Sequence, residues 1–167
     1  MRLFKIILLA ACFTAAGCEK NNDSVKESLE NAIPDIQITS MGMIDQVGPF
    51  SSSDAIRVTF GGAVTRSEPG SIAAAWYDVP SGAAQPALMD SIYFDSWNTA
   101  ASAANGNNSV ETGLVPTTYP NTLAFTGNAV LKLAKLPPGK PYTLRLYART
   151  ADGKMATVAV SRFITIR

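Results

Sequence analysis

Residues 136–150 read LPPGKPYTLRLYART, and from Tyr142 onward the side chains alternate without a break. Tyr142, Leu144, Leu146 and Ala148 share one parity, while Thr143, Arg145, Tyr147 and Arg149 share the other. A period of two with apolar residues on one face describes a half-buried β-strand. Ala151-Asp152-Gly153 follows, and a glycine that accepts positive φ suits a hairpin there. Met155 to Val160 and Arg162 to Ile166 read as the strands that return from it.

Upstream the texture is the same. Ile36-Gln37-Ile38-Thr39 alternates, and so does Ile56 to Phe60. Ile72 to Val79 (IAAAWYDV) and Ser91 to Trp97 (SIYFDSW) read as strands covered in part on both faces. Val110 to Val115, Leu123 to Thr126 and Ala129 to Leu133 are shorter candidates, each bounded by Gly, Pro or Asn. Beyond Pro34 no segment keeps a helical period over ten residues. Eight or nine short, turn-punctuated strands predict an all-β protein, an antiparallel two-sheet β-sandwich over 35–167.

Two resemblances carry this further. Leu136, Pro138 and Gly139 stand six, four and three residues before Tyr142, a pattern that resembles the tyrosine corner of fibronectin type III domains. That corner ties a connection to a strand through the phenol hydroxyl. The wider series IRVTFGG, SWN, ETGL, TYPNT and LPPGKPYTLRLYART resembles a jelly-roll module akin to galactose-binding-like and malectin-like folds. The segment from Asp35 to Arg167 supplies 133 residues, more than the hundred or so of a type III domain. The surplus favours the jelly roll, with a fibronectin type III or immunoglobulin-like sandwich as the alternative.

The N-terminus has a different composition. Arg2 and Lys5 precede an apolar run from Ile6 to Ala16, which Ala15-Ala16-Gly17-Cys18 closes with small residues. A basic start, a short apolar stretch and a small-residue end mark a secretory signal, too short for a spanning helix of about 20 residues. The stretch resembles the lipobox of bacterial lipoproteins, although Ala15 stands where leucine is commonest. That resemblance implies removal of 1–17, acylation of Cys18 and a membrane held through that lipid. Glu19 stands where aspartate signals inner-membrane retention in many such bacteria, so the outer membrane is expected, facing the periplasm or the exterior. Residues 18–34 are polar and charged and read as a flexible tether. Ser24 and Glu27 match a capping box, and Val25, Leu29 and Ile33 recur every fourth position, so a short helix is the alternative.

Composition excludes several classes. Cys12 leaves with the signal, and Cys18 alone permits neither an internal disulfide nor a cysteine zinc site. Fourteen basic residues less Arg2 and Lys5 leave twelve against thirteen acidic, a near-neutral chain without a basic field for nucleic acid. Histidine is absent, which removes the commonest general base and metal ligand.

The most unusual stretch of the domain is Asn98 to Ser109, NTAASAANGNNS, which holds no apolar side chain larger than alanine. It predicts an exposed loop. Asn98, Asn105, Asn107 and Asn108 offer amides for sugar hydroxyls, while Trp97 and Tyr119 offer flat faces for the C–H side of a sugar ring. Asp90 and Asp95 are the candidates for calcium, with no established metal motif around them. Asp23-Ser24-Val25 resembles a bacterial O-glycosylation acceptor, making Ser24 the candidate residue. Arg145, Tyr147 and Arg149 make a basic, aromatic outer row. The expected function is a non-catalytic envelope lipoprotein that binds glycan and needs no cofactor. The alternative is an accessory lipoprotein docking a larger envelope complex.

Overall fold

Eight named strands alternate between two sheets: β1 (Ile36–Met43), β2 (Ala55–Thr65), β3 (Pro69–Asp78), β4 (Leu88–Phe94), β5 (Ser109–Pro116), β6 (Thr122–Lys132), β7 (Lys140–Thr150) and β8 (Ser161–Ile166). This computed structural model describes residues 23–28, 31–44, 48–80, 85–155 and 161–167, with the side chains of 161 and 162 left out. The signal-like segment, Cys12, Cys18 and Glu19 lie outside the described residues, as do residues 156–160 of the expected return strand. The chain divides into two units at Pro34/Asp35. In the first, residues 23–28 and 31–32 are helical, and Ser28 Oγ donates to the Ser24 carbonyl at 2.8 Å. The short helix that the sequence offered beside the flexible tether is thus present at 23–28. The capping-box and fourfold-spacing signals outweigh its polar composition.

Strand order is β1-β2-β6-β5 in one sheet and β4-β3-β7-β8 in the other, with every named pairing antiparallel. Each successive pair of strands is a hairpin-connected neighbour, and the chain changes sheet between pairs. This is the immunoglobulin arrangement, four strands ordered A-B-E-D against C′-C-F-G. The jelly-roll preference is therefore corrected. In a jelly roll most sequence neighbours sit in opposite sheets, whereas here they pair. The surplus length lies in three 11-residue strands, β2, β6 and β7, and in the long 95–108 connection.

Strand β7 matches its pattern: Tyr142, Leu144, Leu146 and Ala148 are all buried in the core. Tyr142 donates its hydroxyl to the Pro137 carbonyl at 2.7 Å, and Leu136 is buried beside it, so the tyrosine corner is present. Strand β6 joins two segments that the sequence separates at Gly127-Asn128. Glycine ordinarily weakens a strand interior. Here Phe60 stands opposite Gly127, and Phe125 stands opposite Gly62 on β2. Each ring covers the bare backbone of its partner: an added Cβ would meet Phe60 at 2.3 Å from Gly127 and Phe125 at 2.7 Å from Gly62. Phe125 also packs edge-on against Phe60 and Trp97, with centroids 6.3 and 4.7 Å away. These aromatics join β2, β6 and the connection that follows β4.

The turn after β7 is built as expected, with Gly153 at φ 87°. Asp152 accepts hydrogen bonds from the Thr150 and Ser67 hydroxyls, and Lys154 Nζ lies 3.3 Å from it and 2.9 Å from Asp35. The Thr150 hydroxyl, then that of Ser67 and then Lys154 hold the Asp152 carboxyl at about 2. A lowered folded pKa contributes stability that is present above the unfolded carboxylate value, about 4, and lost as pH falls through about 2. Asp152→Asn is accordingly expected to flatten the melting-temperature profile between those two pH values. An unchanged acid limb in the variant contradicts the linkage.

Candidate functional site

The six residues expected to meet a sugar do not converge. Trp97 is 4% exposed, so its reading as a platform is corrected. The chain bends at Asp95-Ser96, and the indole turns inward to fill the end of the core against Phe125. Three of the loop amides are engaged by the loop or by the strands beside it. Asn105 accepts the Ser102 N–H at 2.9 Å and donates to the Ala100 carbonyl at 2.8 Å. Asn108 is buried, donates to the Asn105 carbonyl at 2.6 Å and accepts the Lys132 N–H at 2.7 Å. Asn98 accepts the Thr112 N–H at 2.8 Å, and Asn107 is exposed in a left-handed turn at φ 59°. Backbone groups that no ladder satisfies need such partners, and asparagine supplies them. The loop is fastened to itself and to β5 and β6.

Clefts of about 330, 350 and 480 Å³ divide the candidates further. The first holds Asn105 and Asn108 beside β4, the second Tyr119, and the third Trp97 and Asn98 with Asp95 and Thr112. Tyr119 is 73% exposed at the far end of β5 from the loop, roughly 25 Å of strand away. The calcium candidates separate likewise. Asp90 sits in the first cleft with its carboxylate 3.4 Å from Lys135 Nζ, and Asp95 lines the third, beyond the other end of β4. Among the described residues no three His, Cys, Asp or Glu side chains gather to hold a metal. Ser24 is exposed in the helical segment.

What converges instead is the outer face of the β4-β3-β7-β8 sheet. Register sets Ala73 between Tyr93 on β4 and Tyr147 on β7, and Ala75 between Ser91 and Arg145. The hydroxyls of Tyr77 and Tyr147 meet at 3.0 Å, and the Arg145 guanidinium lies 4.6 Å over the Tyr77 ring. The hydrogen bond to Tyr147, followed by burial, raises the Tyr77 hydroxyl above its ordinary pKa, and the Arg145 charge opposes that rise. Tyr93 stands 62% exposed beside this cluster, and Phe163 is 69% exposed on β8. The row Arg145, Tyr147, Arg149 is visible in the sequence. Tyr77 and Tyr93 join it only through register, because one-residue shifts would reverse their faces.

The fold and this face define a single immunoglobulin-type β-sandwich with an aromatic, basic sheet surface. No protein-family model matches the chain, and no curated protein matches it. Among solved structures it is similar to one of astrotactin-2, described as a vertebrate-specific, perforin-like membrane protein involved in neuronal development. That likeness has 16% identity and a TM-score of 0.47, over 82% of this chain and 23% of that one. A DUF4466 family protein from Parabacteroides merdae is similar at 8% identity and TM-score 0.40, over 81% of this chain and 44% of that one. Murine CRIg is similar at 11% identity and TM-score 0.32, over 77% and 95% of the two chains. The chain thus spans under half the length of the first two structures.

Proposed function

We propose that this chain is a lipid-anchored protein of the outer membrane whose sandwich serves as a non-catalytic binding module for glycans. The observation that carries the binding reading is the packed group Tyr77, Arg145 and Tyr147 with exposed Tyr93 beside it on one open sheet face. Rigid aromatics with hydroxyl tips present ring faces for sugar C–H groups and polar ends for sugar hydroxyls. The absence of histidine from the sequence supports a non-catalytic role. Support for the anchor is the lipobox-like end at Cys18, which by resemblance places the sandwich outside the cytoplasm. The accessory reading draws on the exposed Phe163 and Leu88, apolar groups suited to a protein partner.

Two measurements on the full chain test this. Wild-type protein is expected in the detergent phase with acyl mass on Cys18, and Cys18→Ser almost wholly in the aqueous phase, because stable anchoring needs the lipid chains. Unmodified wild-type protein refutes the anchor. A broad panel of neutral and acidic oligosaccharides, followed by amide shifts, is expected to move resonances of β3, β4 and β7. A panel that moves none refutes the glycan module and leaves the accessory reading.

A further inference from the structure

We infer that the outer face of β4-β3-β7 is a site for a carboxylated sugar, with Arg145 as the group that selects the acid. This rests on the glycan-binding reading and names its ligand class. Tyr77, Arg145 and Tyr147 form one wall: the two hydroxyls hydrogen-bond at 3.0 Å, and the guanidinium lies 4.6 Å over the Tyr77 ring. Ala75 lies beneath that wall, 6% exposed. Tyr93 stands apart from it across Ala73, two strand spacings or about 9–10 Å from Tyr147 along the row. Ala73, a half-buried residue with a single side-chain carbon, lies between Tyr93 and Tyr147 in register, so the row has a small residue flanked by two tyrosines. A pyranose ring suits such a row, its C–H face against tyrosine and its hydroxyls toward the phenol groups.

Charge decides which pyranose. The Arg145 guanidinium lies 4.6 Å over the Tyr77 ring and has no carboxylate partner among the described residues, and its N–H fork matches the two oxygens of a carboxylate. Among the described residues Arg145 and Arg149 form no ion pair. The strand positions around Ala73 and Ala75 — Tyr77, Ser91, Tyr93, Thr143 and Tyr147 — hold no carboxylate, and exposed Asp95 follows just beyond the end of β4. The face is therefore positive and aromatic on a chain that is otherwise near neutral. A neutral sugar would give the guanidinium no anion beyond its contact with the Tyr77 ring, whereas a uronic-type acid supplies one.

The test titrates the full chain with a galacturonate trisaccharide and, separately, its neutral galactose counterpart, following amide shifts. The acid is expected to bind with Kd on the order of 0.1–1 mM, as befits one open site, and about tenfold tighter than the neutral sugar. Its affinity should weaken with added salt. Arg145→Gln is expected to bring the acid down to the neutral level with an unchanged melting temperature. Arg145→Lys should recover little, since an ammonium neither stacks as well nor forks. Equal binding of both sugars on this face overturns the acid selectivity and leaves the glycan module standing. Shifts confined to the cleft around Asp95 and Asn98 overturn the location. If the panel and both trisaccharides move nothing, the glycan reading falls with this one.

Discussion

Trp97→Ala is expected to destabilise the sandwich by about 3–5 kcal/mol, the cost of emptying a buried aromatic site. The indole is 4% exposed and packs edge-on against Phe125 at 4.7 Å. Phe125 in turn covers Gly62 and packs against Phe60, which covers Gly127. The vacancy thus removes support from the ring system that spans β2 and β6. Domains of this size have about 5–15 kcal/mol in total, so the variant should lose a large fraction of its stability. Urea unfolding checks this: the midpoint should fall while the slope stays constant. Trp97→Phe should lose far less, because the indole N–H is buried without a hydrogen-bond partner among the described residues. An alanine variant with the wild-type midpoint would place Trp97 at the surface and restore the platform reading.

Leu136→Ala should cost about 2–4 kcal/mol, since the side chain is 2% exposed at the base of the tyrosine corner. Tyr142→Phe should cost less, about 0.5–1.5 kcal/mol for one hydrogen bond to the Pro137 carbonyl. The double variant is informative because both residues fasten the same β6–β7 connection to β7. Neighbours that share one structural element couple, so their combined cost should depart from the sum of the singles. Two single variants that melt like wild type would show that the corner holds nothing.

The contrast between Trp97 and Tyr77 explains how much of the site was legible. Both are aromatics near strand ends in the sequence, and nothing local distinguishes core from surface. Trp97 follows two outward residues after β4 and turns back into the interior, a bend that alternation does not encode. Tyr77 keeps the outward parity of β3 and meets Tyr147 from β7, 70 residues away along the chain. The asparagines mislead for a related reason. An amide-rich loop has the composition of a sugar site, but backbone groups of the loop and of the adjoining strands take Asn98, Asn105 and Asn108 first.

By itself the sequence determined the properties carried by neighbours along the chain. Period-two alternation set the strands and their buried faces, Gly153 set a turn, and the spacing from Leu136 to Tyr142 set the corner. The lipobox-like end likewise carries its expectation of an anchor in consecutive residues. Only the tertiary structure decided which strand lies beside which, and so chose the immunoglobulin order over the jelly roll. Pairing partners are selected by packing across the whole domain, where many orders suit the same alternation. The same packing took Trp97 into the core and brought Tyr77, Tyr93, Arg145 and Tyr147 from three strands onto one face.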